Sequence, residues 1–428
     1  MQQRQSWIYA LPALPLALPT MVLFIYLPTL YVEEFGLSLA LVGTLLMLAR
    51  VSDLVIDPWV GRLNDNLSTT QQRQLMLIGA ALCGVGLFWL TRPISGWSAS
   101  SLLLSLSILY FGWTLVQIPY LALLPGLSTD SRARTQIASL REGMGVIGLL
   151  FSAAFPVFLI NGGSSTLEAL RQLSDLSILL VALTLGLLLT KLHWPERITP
   201  SSNARWLSLW RNRPARVLMF AWFSNGLANG IPAVLFPLYI TEVLKLDEAA
   251  RANYILIYFI CAILSLPLWW LASQRISRKR LWQVAMLIAL ICFLPASLLG
   301  PSDANLFMLI CMLTGAMLGA DLALPQALQA DVCDWHRFRF KRDQSASLFA
   351  IWNVFTKLAL AFAALVAFGL LDLSGFDQDT NQVGQLALIY AFLPCVLKLL
   401  AILMMEKFAL SEAQHTEIIA RIERREDV

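Results

Sequence analysis

Two carboxylates lie four residues apart in an apolar stretch, residues 37–63, that is long enough to cross a membrane. They are Asp53 and Asp57, with Arg50 one helical turn before them. Side chains four residues apart share one face of a helix, so both carboxylates reach the same small volume. Charges at bilayer depth are costly and mark ion or solute pathways, and paired oxygen donors suit a small hard cation or a proton. The stretch therefore predicts a cation site.

A structural alternative is a buried ion pair that only holds helices together. Arg50 and Asp53 could form such a pair, because they lie one turn apart. That pairing would leave Asp57 without a role, so we favour the cation site.

The composition is that of a polytopic membrane protein. Of the 428 residues 58% are hydrophobic and 14% charged, and the mean hydropathy is +0.68, which is outside the range of soluble domains. A transmembrane barrel would show short alternating segments, so continuous runs predict an all-α fold. Twelve runs long enough to span a membrane begin near Trp7, Leu37, Gln74, Ser98, Gln136, Asp175, Ala215, Ala252, Leu281, Ala304, Ser345 and Gly384.

Polar segments divide these runs into six plus six. We expect an N-terminal six-helix bundle over residues 1–194, a cytoplasmic linker over 195–214, a C-terminal six-helix bundle over 215–410 and a charged, solvent-exposed helical tail over 411–428. Basic residues concentrate in the termini and alternate loops, which places both termini in the cytoplasm and the chain in the plasma (inner) membrane. The net charge of +4 reflects this bias and not a nucleic-acid surface.

The remaining reactive residue types form no recognisable site. The six cysteines and three histidines are scattered, so we expect no metal site beyond the cation site at Asp53 and Asp57, and no cofactor. No nucleophile–base pair or phosphate-binding loop lies at one membrane depth, which argues against an enzyme.

Few polar residues lie inside the other predicted spans, so each one indicates either a helix contact or a wet cavity. Hydrogen bonds between helices would explain the amides, whereas Asp321 and Lys357 require a wet cavity or an opposite charge. Lys398 is expected to extend to an interface. Glycine pairs at 226 and 230, and at 315 and 319, would allow close helix packing. The amides are Gln117, Asn225, Asn229 and Asn353.

Three groups of residues, taken in order, resemble the glycoside–pentoside–hexuronide:cation symporters of the major facilitator superfamily. The resemblance spans nearly the whole chain, and the ordered combination is more specific than any single element. The groups are Arg50-x-x-Asp53-x-x-x-Asp57-Pro58 with Gly61-Arg-Leu-Asn-Asp65; Ile118-Pro119-Tyr120 with Ser128-x-Asp130-x-Arg132-x-Arg134-Thr135 and Arg141; and Ala330-Asp331-Val-x-Asp334 with Arg342 and Lys357.

The resemblance implies two six-helix bundles, alternating access and uptake of a sugar or glycoside driven by Na⁺, Li⁺ or H⁺. It implies that Asp53, Asp57 and Thr114 bind the cation and that the chain works as a monomer with a small solute and a monovalent cation in the lipid bilayer. Arg50, Arg141 and Lys357 match the basic residues of the family's substrate cavity. A cytoplasmic gate is implied at Gly61, Arg62 and Asp65, with Asp130, Arg132, Arg134, Asp331, Asp334 and Arg342 as the surrounding charged residues and candidate partners.

The chain departs from melibiose-type members at the sugar-gripping positions. No acid occurs within residues 7–31 of the first helix, Gln117 replaces the fourth-helix acid and Leu121 replaces the aromatic residue. These three departures argue against a galactoside substrate. Ile56 replaces an amide beside the second cation carboxylate, which argues against Na⁺ selectivity but not against cation coupling. A different polar and aromatic pocket is expected from Trp113, Tyr120, Gln117, Asn225, Asn229, Asp321, Trp352 and Asn353.

We expect cation binding to neutralise the two carboxylates, rearrange their pairing with Arg50 and Lys357 and complete the solute pocket. Such coupling requires each ligand to bind better when the other is present. A lipid-like or other non-sugar solute is an alternative that fits the missing sugar-gripping acids. A transport-dead membrane scaffold or sensor is a further alternative, against which the intact Asp53 and Asp57 argue.

Overall fold

The computed structural model describes residues 2–33, 35–92, 98–194, 206–374 and 383–426. Within these ranges the chain is built of helices joined by short turns. The α-helices, labelled α1–α18 in chain order, are Gln2–Ala10, Ala13–Ala17, Pro19–Met21, Leu27–Glu33, Leu39–Asp65, Thr69–Leu90, Ser98–Ala122, Leu124–Leu127, Ser131–Asn161, Thr166–Lys191, Trp206–Arg211, Arg213–Leu238, Glu248–Ser273, Arg278–Phe293, Ala304–Phe340, Ser345–Leu373, Val383–Glu406 and Glu412–Glu426.

The all-α prediction is confirmed, and each predicted span corresponds to a helix or a run of helices. Ten helices among the described residues are long and apolar enough to cross a membrane. The two predicted spans outside this set are the first, which is broken into α1–α4, and the second, α5, which carries several charged residues.

Polar residues in the loops set where the spans begin. Ser38 precedes α5, and its hydroxyl accepts a hydrogen bond from the backbone N–H of Leu41. Ser68 and Gln71 form a reciprocal capping box at the start of α6, and Ser165 with Glu168 does the same for α10. These side chains satisfy backbone donors that a helix leaves unpaired at its N-terminus.

The first span is interrupted by prolines and by a π-helical turn, Val22–Tyr26. Proline has no N–H, so Pro19 cannot donate to the carbonyl of Pro15 four residues earlier. Ser177 of α10 donates to that carbonyl oxygen at 3.2 Å. Ser152 of α9 donates to the carbonyl oxygen of Leu18. Hydroxyls of later helices therefore complete the hydrogen bonding of this span.

The chain divides into two compact units. The first comprises Met1–Thr129, Leu140–Ala204 and Arg342–Ile351, and the second comprises Asp130–Ser139, Arg205–Lys341 and Trp352–Val428. Residues 195–205 of the predicted linker lie outside the described residues, so the predicted domain boundaries stay a prediction.

Glycines permit close helix packing inside each unit. In the first unit, a Cβ at Gly79 of α6 would lie 2.7 Å from Leu115 Cβ of α7. In the second unit, Cβ atoms at Gly226 and Gly230 of α12 would lie 2.8 and 2.7 Å from the Cβ atoms of Ala359 and Ala363 of α16. Gly315 and Gly319 bring α15 equally close to α13. The predicted packing role of both glycine pairs agrees with these contacts.

The tail corrects one expectation. It is helical, as predicted, but α18 is not solvent-exposed on all sides. His415, Ile418 and Ile422 are buried, while most of the charged residues between them are exposed. Their spacing of three and four residues places them on one face of the helix. The tail therefore packs against the rest of the second unit along one face.

Candidate functional site

Asp53, Asp57 and Thr114 meet inside the first unit. Thr114 Oγ1 lies 2.8 Å from Asp53 Oδ1 and 2.9 Å from Asp57 Oδ1. The exposed fractions of the three residues are 5%, 0% and 1%. A threonine hydroxyl has one hydrogen, so it cannot give two full hydrogen bonds to two carboxylates. A cation or an additional proton would stabilise this group of oxygens, because two buried carboxylates repel one another.

Two helices position these oxygens. α5 carries both carboxylates on one face, and α7, which packs against α5, carries Thr114. Pro58 follows Asp57 within α5 and cannot donate to the carbonyl of Leu54. The close packing of α7 on α6 at Gly79 fixes α7 beside this group.

Tyr120, expected in the substrate cavity, packs against Tyr9 inside the first unit. Its ring lies 4.8 Å from that of Tyr9, and each tyrosine hydroxyl donates to the backbone carbonyl of the other, at 2.5 and 3.2 Å. The guanidinium of Arg141 lies 5.9 Å from the Tyr120 ring centroid and pairs with Glu142. Tyr120 and Arg141 are both buried in this conformation, and their expected role as solute contacts stays a prediction.

A second polar cluster lies inside the second unit, around Asp321 of α15. Trp282 Nε1 donates to Asp321 Oδ1 at 2.7 Å, and Asn229 Nδ2 donates to Oδ2 at 3.0 Å. Lys398 Nζ lies 3.2 Å from Oδ2 and donates to Asn225 Oδ1 at 2.7 Å. Lys398 is therefore a buried partner of Asp321, and the expectation that it extends to an interface is wrong. The Asp321 carboxylate compensates the charge of Lys398 inside the protein, so the lysine does not need to reach water.

Three tryptophans adjoin this cluster. Trp222 of α12 stacks on Trp352 of α16, with ring centroids 4.6 Å apart and an interplanar angle of 19°. Its Nε1 donates to Thr356 Oγ1 at 2.7 Å. Trp282 lies 6.5 Å from Trp222. An indole face with adjacent amide and hydroxyl groups is suited to a solute that has both apolar and polar surface.

Sequence reasoning missed Tyr9, Glu142, Trp222 and Trp282. Glu142 carried a detectable signal, since it is an acid within a predicted span. The two tryptophans also carried one, because a buried indole N–H requires an acceptor. Tyr9 did not, because a tyrosine near the start of an apolar run is ordinary.

Asp65, predicted in the gate, binds the start of α16 within the first unit. Its carboxylate accepts from the backbone N–H groups of Ala346 and Ser347 at 2.9 and 3.0 Å and from Ser347 Oγ at 2.5 Å. Gly61, one turn earlier, allows the approach, since a Cβ there would lie 2.7 Å from Ala350 Cβ. An anionic side chain at a helix N-terminus is favourable. Its described partners therefore include two backbone N–H groups and the Ser347 hydroxyl, and pairing of Asp65 with the expected charged residues stays a prediction.

Arg134 organises a charged cluster within the second unit. Its Nη1 lies 3.0 Å from Asp331 Oδ1 and 2.5 Å from Asp334 Oδ2. Arg278 also pairs with Asp331. The two arginines and the two aspartates are buried. Of the gate residues that the resemblance implies, Arg134, Asp331 and Asp334 thus come together.

The other predicted gate residues lie nearer the surface. Asp130 accepts from the backbone N–H groups of Arg132 and Ala133 at 3.2 Å each and so caps α9. Arg62 and Arg132 are exposed, and Arg342 is half-buried.

Four predicted cavity residues, Trp113, Gln117, Asn353 and Lys357, are half-buried, and Arg50 is exposed. Trp113 lines an apolar crevice of about 610 Å³ between α2, α6, α7 and α10 in the first unit. Among the described residues no group of three or more His, Cys, Asp or Glu side chains is placed to hold a metal ion.

Comparison with known proteins identifies the family. The MFS/sugar transport protein model matches residues 8–412. The uncharacterized symporter YnaJ of Bacillus subtilis (strain 168) is 24% identical, over 94% of this chain and 91% of its own. The glucuronide carrier protein homolog of Escherichia coli (strain K12) is 22% identical, over 94% and 92%.

Solved structures support the fold. The E. coli fucose:proton symporter has a TM-score of 0.71 with 14% identity, and the match covers 95% of this chain and 98% of that one. The helices, the buried polar clusters and the family match thus agree, and this integral membrane protein belongs to the MFS/sugar transport protein family.

Proposed function

We propose that this chain is a secondary active transporter that couples uptake of a sugar or glycoside to a monovalent cation. The observation that carries the proposal is that the buried side chains of Asp53 and Asp57 both lie within hydrogen-bond distance of the Thr114 hydroxyl. The family match and the symporters among the similar proteins support it.

The charges of the first unit favour one monovalent ion. Three acids, Asp53, Asp57 and Glu142, and two bases, Arg50 and Arg141, lie well inside its predicted spans. Their sum is one net negative charge. Isolated charge at membrane depth is costly, so a single Na⁺, Li⁺ or H⁺ at the two aspartates would bring the sum for this unit to zero when Lys357 of the second unit does not pair with them.

Coupling follows if the cation and the solute each bind better in the presence of the other. A reciprocal coupling of about 1–3 kcal/mol is typical and suffices for this. Neutralising Asp53 and Asp57 would lower the cost of closing the solute site away from water. The half-buried Gln117, Asn353 and Lys357 are the polar groups proposed for the solute.

The charged cluster of Arg134 and the capping contact of Asp65 are proposed as the gate on the cytoplasmic side. Positive charges in alternate loops favour cytoplasmic termini and an inner-membrane location. A monomer is proposed, since each cluster described is complete within one unit of one chain.

The test is thermal unfolding of purified protein with Na⁺, Li⁺ or K⁺ at pH 5 to 8. A ligand that binds the folded state stabilises it, by about 2.7 kcal/mol at a hundredfold excess over Kd. Wild type is compared with Asp53→Asn and Asp57→Asn. Asp175→Asn is the matched control, because Asp175 is a half-exposed acid of the same unit that pairs with Arg92.

Stabilisation by Na⁺ or Li⁺ that both variants lose, and the control keeps, would support a metal-ion site. A pH-dependent shift lost in both variants, without a metal-ion effect, would support a proton. No response of wild type to either ion would contradict the symporter proposal. Uptake of radiolabelled glucosides, xylosides and glucuronides into proteoliposomes then identifies the solute class.

A second candidate solute is an amphiphile with a hydrocarbon portion. The crevice that reaches Trp113 favours it, because the lining of this crevice is almost entirely apolar. Competition by acyl-chain compounds, without competition by any glycoside, would support this candidate over a sugar.

A further inference from the structure

The C-terminal helix α18 contributes two side chains to the charged cluster of the second unit. It lies against α15, and its exposed face carries Glu417 and Arg421. His415 is 1% exposed, as low as the ion-paired arginines that it adjoins. A polar ring is seldom buried this fully without specific partners.

His415 contacts four residues on two other helices of the second unit, α9 and α15. Its Nε2 lies 2.9 Å from Asp334 Oδ2 and 3.5 Å from Asp331 Oδ1 of α15. A carboxylate only accepts hydrogen bonds, so Nε2 carries the hydrogen in this contact. Its Nδ1 lies 3.1 Å from Ser131 Oγ at the start of α9. Arg134 Nη1 lies 3.2 Å from Nε2 and is directed to the same two carboxylates.

Glu412 makes the second attachment, at the start of α14. Ser277 precedes that helix, but its side chain makes no capping hydrogen bond. Glu412 Oε1 instead accepts from the backbone N–H of Arg278 at 3.1 Å and lies 3.6 Å from Arg278 Nε. The tail thus supplies the anion that the N-terminus of a helix favours.

The two attachments act on opposite members of one network. His415 contacts the aspartates and Arg134, while Glu412 contacts Arg278, and Arg278 pairs with Asp331. Asp331 is therefore bound by both arginines and approached by the imidazole. Buried charges remain together only while each keeps its partners, so loss of the tail contacts would loosen the whole cluster.

We propose that α18 is a clasp on this cluster and that His415 and Glu412 are positioning residues for transport. The clasp holds Arg134 and Arg278 on Asp331 and Asp334, and α18 detaches in the step in which the cluster opens. This inference rests on the proposed function, in which the cluster is the cytoplasmic gate. Neither residue is expected to contact solute or coupling cation.

The first measurement is hydrogen–deuterium exchange of the full chain in lipid nanodiscs. His415→Ala and Glu412→Gln should raise exchange about tenfold in four segments: α18, the start of α9, the start of α14 and the end of α15. Two controls should leave exchange unchanged: His193→Ala, which removes an exposed histidine, and Glu417→Gln, which changes an outward-facing acid of the same helix. Faster exchange throughout the second unit would mean a general structural role and would overturn the proposal.

The second measurement uses Cys333, which is buried and lies between Asp331 and Asp334 in the sequence. In a variant that keeps only this cysteine, alkylation by N-ethylmaleimide reports opening of the end of α15. We expect His415→Ala to accelerate alkylation about tenfold and His415→Gln, which retains an N–H donor, to recover most of the wild-type rate. Wild-type rates in His415→Ala would overturn the proposal.

Addition of Na⁺ or Li⁺ separates the two proposals. If the wild-type alkylation rate responds to the cation and that of His415→Ala does not, the clasp governs the step that the cation controls. If neither Na⁺ nor Li⁺ changes the wild-type rate, metal-ion coupling through Asp53 and Asp57 fails, while the exchange data still decide whether the tail is a clasp.

Discussion

Lys398 Nζ lies 3.2 Å from Asp321 Oδ2, so a lysine of α17 compensates a carboxylate of α15 inside the second unit. Both side chains are buried, and Asn225, Asn229 and Trp282 complete their hydrogen bonding. This pair joins helices that are far apart in sequence. It also means that Asp321 is already bound by three donors before any solute arrives.

Removing one member of this pair should cost more than removing both. Asp321→Asn or Lys398→Met alone leaves an uncompensated buried charge and should lower the free energy of unfolding by about 3–5 kcal/mol. The double variant should recover most of that loss. Thermal unfolding in detergent measures all three, and a double variant as unstable as the worse single one would contradict the pairing.

Thr114 should be needed for cation affinity through its hydroxyl. Thr114→Val removes a hydrogen bond to a charged group, worth about 1.5–3 kcal/mol, so cation affinity should fall at least tenfold. Thr114→Ser keeps the hydroxyl and should stay near the wild-type affinity. Calorimetric titration with Na⁺ or Li⁺ tests this, and equal affinities for the valine and serine variants would exclude the hydroxyl as a ligand.

Asp65 should stabilise the first turn of α16. Asp65→Ala removes the acceptor for two backbone N–H groups and should destabilise the helix start by about 1–2 kcal/mol. Asp372→Ala is the control, because Asp372 is exposed near the other end of the same helix. Hydrogen exchange over residues 345–350 should increase only in the first variant. An unchanged rate there would show that the capping contact contributes nothing.

Gly319 should not tolerate a side chain. A Cβ at this position would collide with Ser265 Oγ and lie 2.9 Å from the carbonyl oxygen of Ala262. Overpacking costs about 1–3 kcal/mol, so Gly319→Val should lower the unfolding temperature clearly. Gly369→Ala has open space around its Cβ and should be neutral or slightly stabilising. Similar unfolding temperatures for both variants would refute the close packing of α13 and α15.

The sequence predicted features that depend on neighbours along one helix. Helical spacing places Asp53 beside Asp57, and hydropathy gives the twelve spans. Thr114 came from the family resemblance, since it lies 57 residues from Asp57. The partner of Asp321 could not be predicted, because Lys398 is 77 residues away and composition does not say which helices touch.

The tail shows a second limit of sequence reasoning. Its many charges suggested a solvated helix, but the positions of His415, Ile418 and Ile422 on one face indicated a packed side. The average polarity of the tail does not show this pattern, whereas the spacing of its apolar residues along the helix does. The reciprocal tyrosine contact of Tyr9 and Tyr120 had no such signal, because it depends on where two helices cross.

The broken first span has a consequence for membrane insertion. The carbonyl oxygens of Pro15 and Leu18 accept hydrogen bonds from Ser177 and Ser152, which are translated well over a hundred residues later. Unsatisfied carbonyls cost several kcal/mol in hydrocarbon. Until α9 and α10 emerge, the nascent first segment therefore lacks these two hydroxyl donors, although the Pro15 carbonyl keeps one backbone donor, the N–H of Leu18. We therefore expect stable insertion of the first span to depend on α9 and α10.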